Sequence, residues 1–249
     1  MQAQNLVLPC NEGPPSPYLC RGNNYATCHC VTQRHVPASS TTAQLGFNGR
    51  ISRYPVNATL RCFVDLNGFQ AKADGEYVAA CFEVAPQAWS LGPVQLQRVL
   101  VYEDAFFSAV QSSGTPSDVA PAAAFFPNCP PGSCVGNVSP PLFTYREAMI
   151  NTFCHERGHG HGLRHELPAQ TDKDDPLIQS GFLNPESVMN YYNHPLEMAV
   201  DGPDIVPINV PYTYDANTLQ GLPIDVVPPT SEPCQVPWKE GVQEGSWFN

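Results

Sequence analysis

The segment His155-Glu156-Arg157-Gly158-His159-Gly160-His161-Gly162-Leu163-Arg164-His165 constrains this chain more than any other stretch. Residues four apart on an α-helix are separated by about 400°, so His155 and His159 project from one face, one turn apart. Glu156 is rotated by about 100° from His155 and stands beside that pair. His165 follows His155 by ten residues, which on a continued helix is about 15 Å along the axis. For the three imidazoles to meet, the chain has to turn back, and Gly162 can take the positive φ that such a reversal needs. The spacing predicts a helix ending near His161, a reversal at Gly162, and three imidazoles converging on one cation.

Three imidazoles at about 2.0–2.1 Å suit Zn2+ and leave a fourth position open, the arrangement of a catalytic rather than a structural site. With seven histidines in 249 residues, a chance match to all five fixed positions is on the order of 10⁻⁵. His161 is turned by about 200° from His159 and is predicted not to share that metal. Upstream, Thr144-Tyr145-Arg146-Glu147 has the form of a capping box, so the helix is expected to open there and run through Ala148, Met149, Phe153 and Cys154. Downstream, Ser187-Val188-Met189-Asn190-Tyr191 begins 22 residues after His165.

The motif and the methionine segment resemble the metzincin zinc peptidases. Glu166 after the third histidine is astacin-like, whereas Gly158 and Leu163 are as in serralysins or pappalysins, so the subfamily stays open. The resemblance covers about residues 144–194. It implies an α+β catalytic domain of two lobes: a twisted sheet and the active-site helix in the N-terminal lobe, and a loop-rich C-terminal lobe. It implies Met189 in a turn beneath the imidazoles, as an apolar floor that does not bind metal. It also implies that Tyr191 ligates zinc at rest and steadies the oxyanion during reaction. Glu156 takes a proton from water and delivers it to the leaving amine. The expected activity is zinc endopeptidase action on a protein or peptide substrate. A zinc-stabilised binding module without turnover and a hydrolase of restricted or non-peptide amide substrates are the alternatives; the intact Glu156 speaks against the first.

The rest of the chain bounds the setting. Lys+Arg is 12 and Asp+Glu 23, a formal charge of −11. With no basic run, nucleic acid and anionic membranes are disfavoured as partners, and no apolar stretch approaches the roughly 18 residues of a spanning helix. Ten cysteines spread along the chain are read as five disulfides of a secreted, monomeric protein, with Cys129 and Cys134 a plausible local pair. Met1 to Cys10 lacks the features of a signal peptide, so the sequence is expected to start after a removed leader. Asp172, Asp174 and Asp175 are a candidate calcium cluster, although carboxylates alternating with a lysine and without a defined loop signature are more often a solvated turn.

Residues 1–249 are read as one domain, with the N-terminal lobe at about 1–162 and the C-terminal lobe at about 163–249. Ala58, Leu60, Cys62 and Val64 alternate as on a strand, and Val94 to Tyr102 fits another. Tyr77 to Val84 is ambiguous, and Asp104 to Gln111 is expected as a short helix capped by Asp104. Val119 to Phe126 is a candidate edge strand for pairing with substrate. With 27 prolines in the chain, the tail beyond Pro203 is expected to be proline-punctuated, with at most a short helix at Leu196 to Val200.

Overall fold

A computed structural model of the chain describes residues 43–46, 49–112, 122–129, 134–165, 178–180, 184, 186–190, 195–213 and 217–230. Strands β1 (Ala43–Leu45), β2 (Ile51–Arg53) and β3 (Thr59–Val64) precede helix α1 (Lys72–Ala88), and β4 (Gln95–Val99) and β5 (Phe107–Gln111) follow it. Next come β6 (Ala122–Ala123), β7 (Val135–Val138), helix α2 (Met149–Gly160), β8 (Leu163–Arg164) and β9 (Ile178–Ser180). Helix α3 (Gly202–Thr213) and strands β10 (Thr218–Leu219) and β11 (Leu222–Val226) complete the mixed α and β fold.

A five-stranded sheet in the order β4-β3-β5-β7-β6 forms the frame. Its first four strands are parallel, and β6 runs antiparallel along the edge. In β3 the alternation expected from the sequence holds: Leu60, Cys62 and Val64 are buried between partly exposed neighbours. The ambiguous Tyr77 to Val84 stretch lies within α1, which buries Val78, Ala79, Cys81 and Ala85. Phe82 of α1 and Phe153 of α2 stack at 4.3 Å between ring centres. Both rings line an apolar cavity together with Leu60, Leu96 and Phe107 of the sheet, so the two helices share one sheet face.

Asp104 to Gln111 is not a helix. A 3-10 turn at Tyr102–Asp104 leads through buried Phe106 into β5, where Phe107, Ser108 and Ala109 are buried in succession. A strand covered on both faces reads as a continuous apolar run, which periodicity does not separate from a helix. The expected capping box is also unused. Pro140–Ala148 forms 3-10 turns broken at Tyr145 (φ −123°, ψ 51°), and α2 opens only at Met149. The Tyr77 hydroxyl donates to the Arg146 carbonyl at 2.9 Å, and the Arg146 guanidinium pairs with Asp74, which ties this stretch to α1 instead.

The C-terminal part departs furthest from expectation. Leu196 to Val200 holds only a 3-10 turn at Pro195–Glu197, whereas the 12-residue α3 contains Pro207 and Pro211. Pro203 sits in the first turn, where no intrahelical N–H bond is lost. Each later proline removes one bond and clashes with the carbonyl four residues back, normally about 3 kcal/mol. Here Asp204, Pro207, Ile208 and Pro211 form the buried face, so tertiary packing holds what propensity would not.

Two small sheets join distant parts of the chain: β8-β1-β9, antiparallel, and β10-β11-β2, in which β11 and β2 are parallel. Cys62, Cys81, Cys129 and Cys154 are free thiols, so the expected Cys129–Cys134 pair is not formed and the expected disulfide framework is not met among the described residues. Cys62, Cys81 and Cys154 are buried and serve as small apolar core residues. Cys10, Cys20, Cys28, Cys30 and Cys234 lie outside the described residues, as do Asp172, Asp174 and Asp175. Among the described residues no helix is long and apolar enough to cross a membrane.

Candidate metal centre

Helix α2 carries His155 and His159 on one face, both buried. It stops where expected: His161 is the C-cap, and Gly162 follows at φ 95°. A Cβ at Gly162 would also come to 3.3 Å from the Ser52 carbonyl oxygen, so the reversal needs glycine on two counts. The returning chain is captured at once as β8, which pairs with β1, and His165 follows it, 1% exposed.

The reversal brings the three rings together. One ligand atom from each of His155, His159 and His165 lies within 4.8 Å of the others. His155 Nε2 is 3.1 Å and His159 Nε2 is 3.2 Å from His165 Nε2. Nitrogens held about 2.05 Å from a common ion at those separations subtend angles of about 98° and 103°, close to tetrahedral.

The protonation pattern calls for a cation as well. His155 Nδ1 donates to the Val188 carbonyl at 2.7 Å, and His159 Nδ1 donates to the Leu163 carbonyl at 2.8 Å. A carbonyl oxygen only accepts, so in the neutral rings both Nε2 atoms carry lone pairs. Burial and the neighbouring His155 hold His159 well below the ordinary imidazole range, so it stays neutral. Three buried imidazoles, two of which turn their Nε2 atoms toward the third ring, fit a divalent metal.

Around the three histidines, Phe126 sets its ring edge-on to His159 at 5.5 Å. Met189 is buried beneath α2, and a Cβ at Gly158 would lie 2.1 Å from its sulfur, so Gly158 is the gap that admits the methionine. Glu156 is buried, adjacent to the first ligand on α2. The apolar cavity behind α2 touches Glu156 and residues 122–125, but none of the three convergent histidines, so it is distinct from the metal position. His161 stays outside the cluster, as expected. It accepts from Arg157 Nε at 3.2 Å and packs on Trp89 at 5.5 Å, rather than binding the last helix carbonyls. Tyr191, Tyr192 and His194 lie outside the described residues.

Two features of the site went unseen in the sequence. The orienting acceptors are main-chain carbonyls, which no side-chain pattern announces. The second is Asp204. Its buried carboxylate accepts from Ser187 Oγ at 2.6 Å, Val188 N at 3.2 Å and Asp201 N at 3.0 Å. Asp201 Oδ1 in turn accepts from Asp204 N at 3.0 Å. Asp201 and Asp204 thus form a reciprocal cap on α3, built as D-x-x-D rather than S/T-x-x-E.

No protein-family model matches the chain, and no curated protein matches it either. Solved structures that match the chain include the following three. Myroilysin aligns with a TM-score of 0.46 and 12% identity over 66% of this chain and 97% of its own. The ECX AB5 holotoxin, in its GM1-bound form, gives 0.48 and 16% over 68% and 87%. High choriolytic enzyme 1, a hatching enzyme zinc-protease from the medaka fish Oryzias latipes, gives 0.37 and 15% over 68% and 92%. At these TM-scores and identities the neighbours carry no functional weight, and function has to be read from the centre itself.

Proposed function

We propose that the chain is a zinc-dependent endopeptidase, with His155, His159 and His165 as metal ligands and Glu156 as the acid–base group. The observation that carries this reading is the convergence of three buried ring nitrogens, two of them with lone pairs fixed inward by carbonyl acceptors. When bound, zinc supplies a Lewis acid that acidifies a water and polarises the scissile carbonyl. Glu156 accepts the proton at its carboxylate and returns it to the leaving nitrogen. The Tyr191 hydroxyl donates to the carbonyl oxygen as negative charge develops there. Met189 fills the space under the rings without competing for the ion.

An extended substrate pairs with β6, the antiparallel edge of the main sheet among the described residues, which lies within the segment expected to serve as that edge. Residues 1–249 act as one monomeric catalytic domain with the cleft between two lobes. Export from the cell belongs to the same proposal, and the intact mass under non-reducing and reducing conditions tests for the disulfides that would accompany it.

The test is Glu156→Ala, with zinc content and cleavage of casein or a peptide library measured alongside the parent. The expected result is a stoichiometric zinc site in both proteins, with cleavage lost by at least about 10²-fold in the variant, the usual scale of a removed acid–base group. Native-rate cleavage by the zinc-loaded variant would refute the role of Glu156. A parent that binds zinc and cleaves no peptide would support the binding module instead.

A further inference from the structure

A chain of hydrogen bonds runs from the first metal ligand away from the metal, every donor pointing the same way. His155 Nδ1–H donates to the Val188 carbonyl at 2.7 Å. The N–H of that same peptide unit, on Met189, donates to Ser187 Oγ at 3.1 Å. The Ser187 hydroxyl donates to Asp204 Oδ1 at 2.6 Å. All five residues along this path are buried. Asn184 Nδ2, at 3.5 Å from Oδ1, adds to the donors around the carboxylate, while Val188 N and Asp201 N hold Oδ2. With donors on both oxygens, an acceptor-only carboxylate is the form this pocket accommodates.

We propose that Asp204 is a positioning residue for the metal centre, the anionic end of a relay through Ser187 and the Val188–Met189 peptide that orients His155 and strengthens its Nε2 as a ligand. Metal-bound histidines commonly give their second N–H to a carboxylate or a carbonyl. Here the two arrangements are joined in series: a carbonyl receives the N–H, and a carboxylate polarises that carbonyl through its own amide. Aligned bonds strengthen one another in a low-dielectric interior. The same carboxylate caps α3, so hydrogen bonds link that helix to the Met189 turn and through it to His155.

This inference rests on the three-histidine zinc reading, and the test separates the two. Zinc affinity is measured by competition with a chromophoric chelator for the parent, Asp204→Asn, Ser187→Ala and Asn209→Ala. Asn209 lies on the same helix and bonds to Ile205 O, away from the relay, so it reports on α3 stability alone. The His155 Nδ1–H proton resonance is followed in the zinc-loaded, ¹⁵N-histidine-labelled proteins. The relay requires zinc binding weaker by about tenfold or more in the Asp204 and Ser187 variants, the scale seen for outer partners of metal ligands. It also requires an upfield shift of that proton, with Asn209→Ala unchanged in both readouts.

Parent-like affinity and proton shift in both relay variants would overturn the relay while leaving the zinc site standing. An equal loss in Asn209→Ala would overturn it too, because the effect would then be helix stability. Should Asp204→Asn fail to fold, Ser187→Ala decides, since it leaves the bonds from Val188 and Asp201 to the carboxylate in place. A parent that binds no zinc would remove both readings.

Discussion

Gly158→Ala is the substitution that tests the floor of the centre. Helix position 158 faces Met189: an added Cβ would lie 2.1 Å from the sulfur, 3.1 Å from Cε and 3.5 Å from Cγ. Non-bonded contacts of this kind settle near 3.5–4.0 Å, so the sulfur has to retreat by about 1.5 Å. Met189 is 1% exposed, so the retreat is into packed neighbours rather than into solvent. Overpacking of this sort costs about 1–3 kcal/mol. Replacing glycine by alanine inside a helix returns about 1 kcal/mol. The expected net loss is about 1 kcal/mol, and that small number alone would decide little.

The double-mutant cycle with Met189→Ala decides it. In the Met189→Ala background the added methyl meets empty space, and Gly158→Ala should stabilise by about 1 kcal/mol from helix propensity. The two backgrounds therefore differ by about 2 kcal/mol, well above the few tenths expected of independent sites. The assay is urea unfolding of the metal-free proteins, followed by zinc affinity for the loaded ones. Zinc binding should weaken in Gly158→Ala and not weaken further when Met189 is also shortened. Equal stabilisation by Gly158→Ala in both backgrounds would show that the methionine does not occupy the glycine gap.

Two further outcomes follow from the same structure. Zinc binds the folded centre and not the dispersed histidines of the unfolded chain, so free zinc at about 1,000 times its dissociation constant should add roughly 4 kcal/mol of stability; a melting temperature unmoved by zinc or by a chelator would contradict the centre. Burial pushes the Cys81 and Cys154 thiols up to about 12 and Cys62 higher still, while the Cys134 contact draws Cys129 down. Iodoacetamide at pH 8 should therefore label Cys129 in the native protein and the three core thiols only after unfolding; prompt native-state labelling of Cys62 would refute its place in the core.

The centre was legible in the sequence because its ligands sit at spacings that helix geometry turns into directions. His155 and His159 needed only 3.6 residues per turn, and His165 needed only a glycine able to reverse the chain. Leu60, Cys62 and Val64 were legible for the same reason, with a period of two. Segments whose state is set by neighbours were not legible. Phe107 to Gln111 is a strand because β3 and β7 pair with it along both edges. Gly202 to Thr213 is a helix despite Pro207 and Pro211 because its buried face includes both prolines. Thr144 and Glu147 have the letters of a cap, yet Tyr145 leaves helical geometry between them; the working cap, Asp201 with Asp204, lacked the expected letters.

What the motif leaves unstated is orientation. A histidine offers two nitrogens, and a lone pair can face the metal from Nε2 only if Nδ1 has somewhere to place its proton. His159 places it on the Leu163 carbonyl, which the Gly162 reversal has just delivered. His155 places it on the Val188 carbonyl, which belongs to a turn pinned by Ser187 and Asp204. One acceptor is local to the motif and the other is 33 residues away from its histidine. The eleven residues from His155 to His165 thus carry all three ligands and only half of the visible machinery that aims them. An isolated peptide of that sequence would have to bear the ordering entropy of each ring at the moment of binding, whereas the folded chain has met that cost before the ion arrives. On this view the tail that looked least structured in the sequence contributes the rigidity of the centre, through the carboxylate that begins α3.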